Sequence, residues 1–163
     1  MDNNIKHYLL DTNIVIGLWD KNPNLFDLLD KTNNIDYKIT SRIMLEISQK
    51  EFLFLGDVPF NVTERFAKLM KHYVQDIYSS GDPSYRDDRF FKSDENGIPY
   101  IIKGNISTYT DKSLIVFCQN NNDLTLVTND KRLIKCAKLI LGDCRVLNLF
   151  DFLKEVEKFI QVD

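Results

Sequence analysis

Short apolar runs ending at polar residues alternate along this chain with segments whose apolar residues recur at spacings of three and four. Tyr8-Leu9-Leu10, closed by Asp11, is the first run and has the length of a buried strand. Thr12 can cap a following helix that carries Ile14, Val15, Leu18 and Trp19 on one side. A short helix after Asn22-Pro23 groups Leu25, Leu28 and Leu29, with Pro23 in its first turn. Tyr37-Lys38-Ile39-Thr40 reads as a second strand, and Ser41 as the cap of a helix through about Lys50. A longer helix is predicted from Asn61 or Thr63 to about Tyr78, with Phe66, Leu69, Met70, Tyr73 and Ile77 as its stripe.

Residues 79–106 break the alternation. Ser79-Ser80-Gly81-Asp82-Pro83-Ser84 is turn chemistry, followed by mixed charge interleaved with Tyr85, Phe90, Phe91 and Tyr100. A loop this long inside a compact domain is expected to be either functional or disordered. Order resumes with a helix capped by Thr110 and running to about Gln119, then the strand Leu124-Thr125-Leu126-Val127 and a helix starting near Asn129. Arg145-Val146-Leu147 is a last short strand, and a last helix covers residues 149–160. Strand and helix in regular succession predict an α/β fold with a parallel sheet covered by helices on both faces. Ligands of such sheets collect at the carboxyl ends of the strands. At 163 residues the chain has the length of one domain, 1–163, carrying the 79–106 segment as an insertion.

Composition narrows the function. No apolar run approaches the roughly 20 residues of a membrane span, and the start Met1-Asp2-Asn3-Asn4-Ile5-Lys6 predicts no secretory signal. Cys118, Cys136 and Cys144 fit no zinc spacing and read as small buried thiols of a cytoplasmic protein. A net charge of −3 excludes a domain that holds nucleic acid through a broad basic surface. It does not exclude a nuclease, whose metal site is built from acids.

Four acids stand out by position. Asp11 ends the first strand and Asp130 follows Val127-Thr128-Asn129, so both fall at the carboxyl edge of a parallel sheet. Each alone is also an ordinary first-turn or capping acid. Glu46 shares its helix face with Ile43 and Ile47, and Asp111 opens a stripe of Leu114, Ile115 and Cys118. A glutamate at a stripe edge can reach water, and an acid behind a cap can serve the helix dipole. Four carboxylates brought together would repel, and a divalent cation with hard oxygen ligands, Mg²⁺ or Mn²⁺, removes the conflict. Thr12, Asn13, Ser41 and Thr128 add short polar groups at the same edge.

The runs Leu9-Leu10-Asp11-Thr12-Asn13, Thr40-Ser41-Arg42-Ile43-Met44-Leu45-Glu46, Asp111 and Leu126-Val127-Thr128-Asn129-Asp130 resemble the PIN-domain nucleases over about residues 7–50 and 108–150. The resemblance implies a three-layer α/β/α sandwich with a central parallel sheet. It implies Mg²⁺- or Mn²⁺-dependent cleavage of RNA, leaving 5′-phosphate and 3′-hydroxyl ends. Asp11, Glu46, Asp111 and Asp130 match the family's catalytic, metal-holding acids, and Asn13 and Thr128 its supporting positions. Small single-domain members include VapC-type toxins, which dimerise and are held by an antitoxin protein. The stretch between Glu46 and Asp111 is longer than in those toxins, and the excess falls largely in 79–106.

RNA would need cations near the acids. Lys131 and Lys135 share a helix face with Lys138, Arg42 and Lys112 neighbour the acidic positions, and Arg86 and Arg89 lie among aromatics that can stack on bases. Solvated helix faces and local ion pairs account for the same residues equally simply. His7 and His72 have no evident partner in the sequence. Two other functions fit less well. A receiver-like phosphoryl-handling domain lacks its acid after the second strand, where Thr40 stands, and a lysine after Val127. A non-catalytic PIN-like binding module would not need four acids.

Overall fold

The computed structural model describes residues 5–55, 58–76, 91–93, 99–101 and 108–160. Five parallel strands form the central sheet in the order β5-β2-β1-β8-β9. These are β1 (Lys6–Leu10), β2 (Ile35–Thr40), β5 (Tyr73–Val74), β8 (Leu124–Val127) and β9 (Val146–Leu147). Tyr8 stands opposite Tyr37 on one side and Thr125 on the other, and Leu10 opposite Val127. Successive residues of a strand face opposite ways, yet Tyr8, Leu9 and Leu10 are all buried. Helices therefore cover both faces, as a fully parallel sheet requires. The architecture is the α/β/α sandwich expected from the alternation of elements.

The covering helices are α1 (Thr12–Lys21), α2 (Leu25–Leu29), α3 (Ser41–Glu51), α4 (Glu64–Leu69), α5 (Tyr109–Asn120), α6 (Lys131–Leu141) and α7 (Leu149–Ile160). Ile14, Val15, Leu18 and Trp19 of α1 are buried as their spacing indicated, and so are Ile43 and Ile47 of α3. From α7, Phe152 meets Tyr8 edge-on with ring centres 4.9 Å apart. The Tyr8 hydroxyl donates to Glu155 at 2.7 Å. Gly142 ends α6 at φ +89°, a left-handed conformation that an L side chain would strain. Arg145 stitches the end of α5 to β8: its Nη2 donates to the carbonyls of Cys118, Asn121 and Leu124. No helix among the described residues is long and apolar enough to cross a membrane.

Several local expectations are corrected. The long helix predicted to Tyr78 stops at Leu69, continues as a 3-10 turn over Met70–His72, and becomes β5, which pairs with β2. Met70 and Tyr73, placed on its apolar stripe, are exposed, because pairing beside β2 displaced the helical period. Ile77 lies outside the described residues. Pro23 precedes α2 rather than opening it, and Phe26 is buried where Leu28 is exposed. Cys118 and Cys136 are buried, but Cys144 is exposed in a short turn before β9. Two antiparallel pairs were not anticipated. β3 (Phe52–Leu55) pairs with β4 (Val58–Val62). Within the expected loop, β6 (Phe91–Ser93) pairs with β7 (Pro99–Ile101).

Helix α4 is fastened by a buried acid. Glu51 accepts Arg65 Nε at 2.8 Å, Arg65 Nη2 at 2.5 Å and the Thr63 hydroxyl at 2.6 Å. The Arg65 bonds hold its carboxyl below the usual range, against the opposing effect of burial. A depressed folded pKa stabilises above the unfolded value and is lost as pH falls through the folded one. Arg65 is half exposed, which limits the gain. Arg65→Met is expected to cost about 1–2 kcal/mol at neutral pH. The deficit should fade on acidification below about pH 4, measured by urea unfolding across pH.

Candidate active site at the carboxyl edge of the sheet

The chain leaves β1 toward β2 and β5, then returns to β8 on the other side of β1. This reversal opens a crevice between the carboxyl ends of β1 and β8, the place where α/β sheets bind ligands. Asp11 and Thr128 stand at its two lips.

Asp11, 7% exposed, ends β1 and caps α1. Its Oδ1 accepts the Thr12 N–H at 2.7 Å. Its Oδ2 accepts the Thr128 hydroxyl at 2.6 Å and the Asn13 amide at 2.8 Å. Thr128, fully buried, accepts the Asp130 N–H through the same hydroxyl oxygen. Asn13 Oδ1 accepts the Asn129 N–H, and Asn129 Oδ1 accepts the N–H of Leu149. Polar bonds thus run across the crevice from α1 to the ends of β8 and the start of α7.

The other three acids come from two helix starts and one helix face. Glu46 is half-buried on α3 between Ile43 and Ile47, both fully buried. Its Oε2 accepts the Thr12 hydroxyl at 2.5 Å and its Oε1 the Thr110 hydroxyl at 2.9 Å. Asp111 sits in the first turn of α5, where its N–H donates to Thr108 Oγ1. Asp130 caps α6, its Oδ1 accepting the N–H groups of Arg132 and Leu133.

These carboxylates feel one another. Burial raises the Asp11 carboxyl above its ordinary range, bonds from Thr128 and Thr12 oppose the rise, and the charges of Asp111 and Glu46 add to it. Burial likewise raises Asp111, Thr108 opposes, and the charges of Asp130 and Glu46 add, with Arg132 opposing. None of the four is ion-paired to a described Lys, Arg or His within 4 Å.

Three expected caps are reassigned. Asp11, not Thr12, caps α1, and Thr108, not Thr110, caps α5. Thr40 Oγ1, not Ser41, accepts the Ile43 N–H in the first turn of α3. Thr12 and Thr110 are thereby free to spend their hydroxyls on Glu46. Ser41 is bonded through its backbone to the Asp76 carboxyl, and no described hydrogen bond ties it to the four acids.

The candidate RNA-holding cations are more dispersed. Arg42 Nε lies 3.7 Å from the Asp76 carboxylate. Lys112 follows Asp111 and is half-buried, and Lys131 and Lys135 are exposed on α6. Arg86 and Arg89 fall outside the described residues. Both histidines have partners the sequence did not reveal: His7 Nδ1 is 2.9 Å from Asp36, and His72 bonds Asp30 and stacks on Tyr37. A pocket of about 380 Å³ lies elsewhere, floored by Trp19, Phe26 and Tyr37, with Arg65 over the Trp19 ring.

Sequence reasoning passed over Thr110, Asn129, Arg132 and Asp76. Thr110 and Asn129 carried a signal, each being a short polar residue directly before a singled-out acid. Asp76 was hidden by the overextended helix. It follows β5 at this same edge, with its side chain 3% exposed.

The donor chemistry of the crevice fits a small divalent cation. Four carboxylates supply hard oxygens, partly buried and, among the described residues, without an ion-pair partner. As placed, no group of three or more His, Cys, Asp or Glu among the described residues could grip a metal unaided. Mg²⁺ does not require that, since it is commonly held through one or two carboxylates and keeps several waters.

No family model matches the sequence, and no curated protein matches it. Solved structures share the fold. The crystal structure of PAE2754 from Pyrobaculum aerophilum overlays with a TM-score of 0.50 over 94% of this chain and 90% of that one, at 12% identity. The PIN domain endonuclease Utp24 overlays over 81% of this chain and 77% of that one, at 14% identity, but its TM-score of 0.43 carries no inference. Likeness at this level of identity is likeness of fold.

The raised Asp111 carboxyl has a consequence for stability. A folded pKa above the unfolded one makes ionisation destabilising, an effect that is absent at low pH and grows as pH rises through the folded pKa. Asp111→Asn is expected to raise the metal-free Tm by about 2–4 °C at neutral pH. The gain should vanish near pH 3, where the group is protonated in both states. Thermal unfolding by circular dichroism at both pH values checks this.

Proposed function

We propose that this chain is a PIN-type endoribonuclease dependent on Mg²⁺ or Mn²⁺. One observation carries the proposal: Asp11, Glu46, Asp111 and Asp130, from four different elements, come together at the switch point of a parallel sheet, none of them ion-paired to a described cation, although the charge of Arg132 is felt at Asp111. Structural ion-pair networks also perturb acids, but they include the cation. The resemblance of the motifs around these acids to those of PIN nucleases supports the same function.

In this proposal the four acids would hold the cation, some directly and the others through its waters, and the cation would supply a water of lowered pKa and positive charge toward the scissile phosphate. The chain's own groups do the rest. Thr128 and Asn13 fix the orientation of the Asp11 carboxylate, and Thr12 ties α1 to Glu46. Arg42, Arg86, Arg89, Lys112, Lys131 and Lys135 are proposed to meet RNA phosphates, which needs only a few local charges. Arg132, whose charge already reaches Asp111, joins them. We further propose a cytoplasmic homodimer acting as the toxin of a toxin–antitoxin pair, with an antitoxin protein as partner. Its support is the family resemblance.

The test is cleavage of single-stranded RNA in Mn²⁺ by wild type and Asp11→Asn. Cleavage should fall at least about 100-fold in the variant while its circular dichroism spectrum is retained. Equal cleavage by the two proteins would overturn the proposal.

A further inference from the structure

Glu46 is the one acid of the four that neither ends a strand nor opens a helix. Its side chain leaves the middle of α3 and has three rotatable bonds, so holding one carboxylate orientation costs rotamer entropy. The flanking Ile43 and Ile47 anchor the helix but contribute no polar atom to the carboxylate. What fixes the carboxylate is a pair of hydroxyls, one on each oxygen. Thr12 donates to Oε2 from the start of α1, and Thr110 donates to Oε1 from the start of α5.

The two threonines are not equivalent. Thr12 stands next to Asp11, so its bond links Glu46 to the β1 side of the crevice. Thr110 stands next to Asp111 and links Glu46 to the α5 side. The resulting order, Asp11-Thr12 to Glu46 to Thr110-Asp111, is a continuous polar chain through three elements. Thr110 is spared for this because Thr108 does the capping of α5. Its own carbonyl is engaged by the Ser113 hydroxyl at 2.8 Å.

We propose that Thr110 is a positioning residue, holding the Glu46 carboxylate toward the crevice so that Glu46 and Asp111 can serve one cation. This rests on the proposed metal-dependent function. Thr110 itself touches neither substrate nor cation and acts through Glu46. A hydroxyl carries one hydrogen, and Thr110 spends it on Oε1, leaving the remaining lone pairs of that oxygen available.

The experiment is calorimetric titration of the full chain with Mn²⁺ alone, without RNA. Thr110→Val removes the hydroxyl at nearly constant shape. Thr110→Ala removes it with the residue best suited to a helix, so α5 is retained even if valine crowds its first turn. Both are expected to weaken Mn²⁺ binding about 10–100-fold, the usual cost of losing a group that orients a metal ligand. Thr110→Ser, which keeps the hydroxyl, should bind close to wild type. In a Glu46→Gln background, removing the hydroxyl should cost nothing further, because the partner it acts through is already gone. A merely structural role would not show that non-additivity. Wild-type affinity in both Thr110→Val and Thr110→Ala, or an equal loss with and without Glu46, overturns the positioning role and leaves the nuclease function standing. Failure of the wild-type protein to bind Mn²⁺ overturns both.

Discussion

A buried carboxylate at the end of the central strand ties this structure together. Asp11 accepts hydrogen bonds from α1, from the end of β8 and from its own following residue, and almost none of it reaches water. An ionised group in that position is costly unless its oxygens are satisfied. Here they are, and each donor comes from an element that must be in register for the bond to form. The β1–β8 pairing, the first turn of α1 and the Thr128-Asn129-Asp130 turn are therefore coupled through one side chain. That coupling keeps the crevice in a single shape.

The same economy explains how the acids coexist. Hydroxyl, amide and backbone N–H donors, rather than lysines, stabilise the carboxylates. A lysine would neutralise the site and occupy it, whereas a neutral donor orients an acid and leaves its charge unspent. The burial-raised Asp11 and Asp111 record what this costs the fold, in the way active sites often store local instability. Elsewhere the chain settles its buried acids differently: Glu51 is fully engaged by Arg65 and Thr63. Under the proposed function, the contrast between the two kinds of buried acid separates structural charge from charge kept for chemistry. It also reconciles an acidic protein with the RNA substrate proposed for it. Setting the four acids aside, the rest of the chain is close to neutral, and a cation in the crevice would do the work that a basic surface does in other proteins.

The sheet strands next to the crevice were legible because their pattern is local. Leu9-Leu10 before Asp11, Leu124 to Val127, and the stripe of α7 each announce themselves within one window, and all three occur. The stretch after Thr63 was not legible for the opposite reason. Phe66, Leu69, Met70 and Tyr73 keep a helical spacing, but the chain abandons the helix at Leu69 to pair with β2, and nothing near residue 70 encodes the arrival of a strand that begins at residue 35. Asp11, Asp111 and Asp130 were legible as candidates because each sits at an element boundary, and Glu46 because it interrupts the apolar face of α3. The partners of His7 and His72 were not, since both lie about 30 or more residues away.

What the sequence determined by itself was the α/β alternation, the strand ends and the identity of the acids, because hydrophobic period and residue chemistry are properties of short windows. What the tertiary structure decided was the use of each hydroxyl. Thr12, Thr40, Thr108, Thr110 and Thr128 are chemically alike and all lie at helix starts or strand ends. Two of them cap helices, two clasp Glu46, and Thr128 bonds Asp11. A threonine hydroxyl reaches only about 3 Å. Its role is therefore set by which oxygen the packed helices bring within that distance, and for Thr110 that oxygen belongs to a residue 64 positions away.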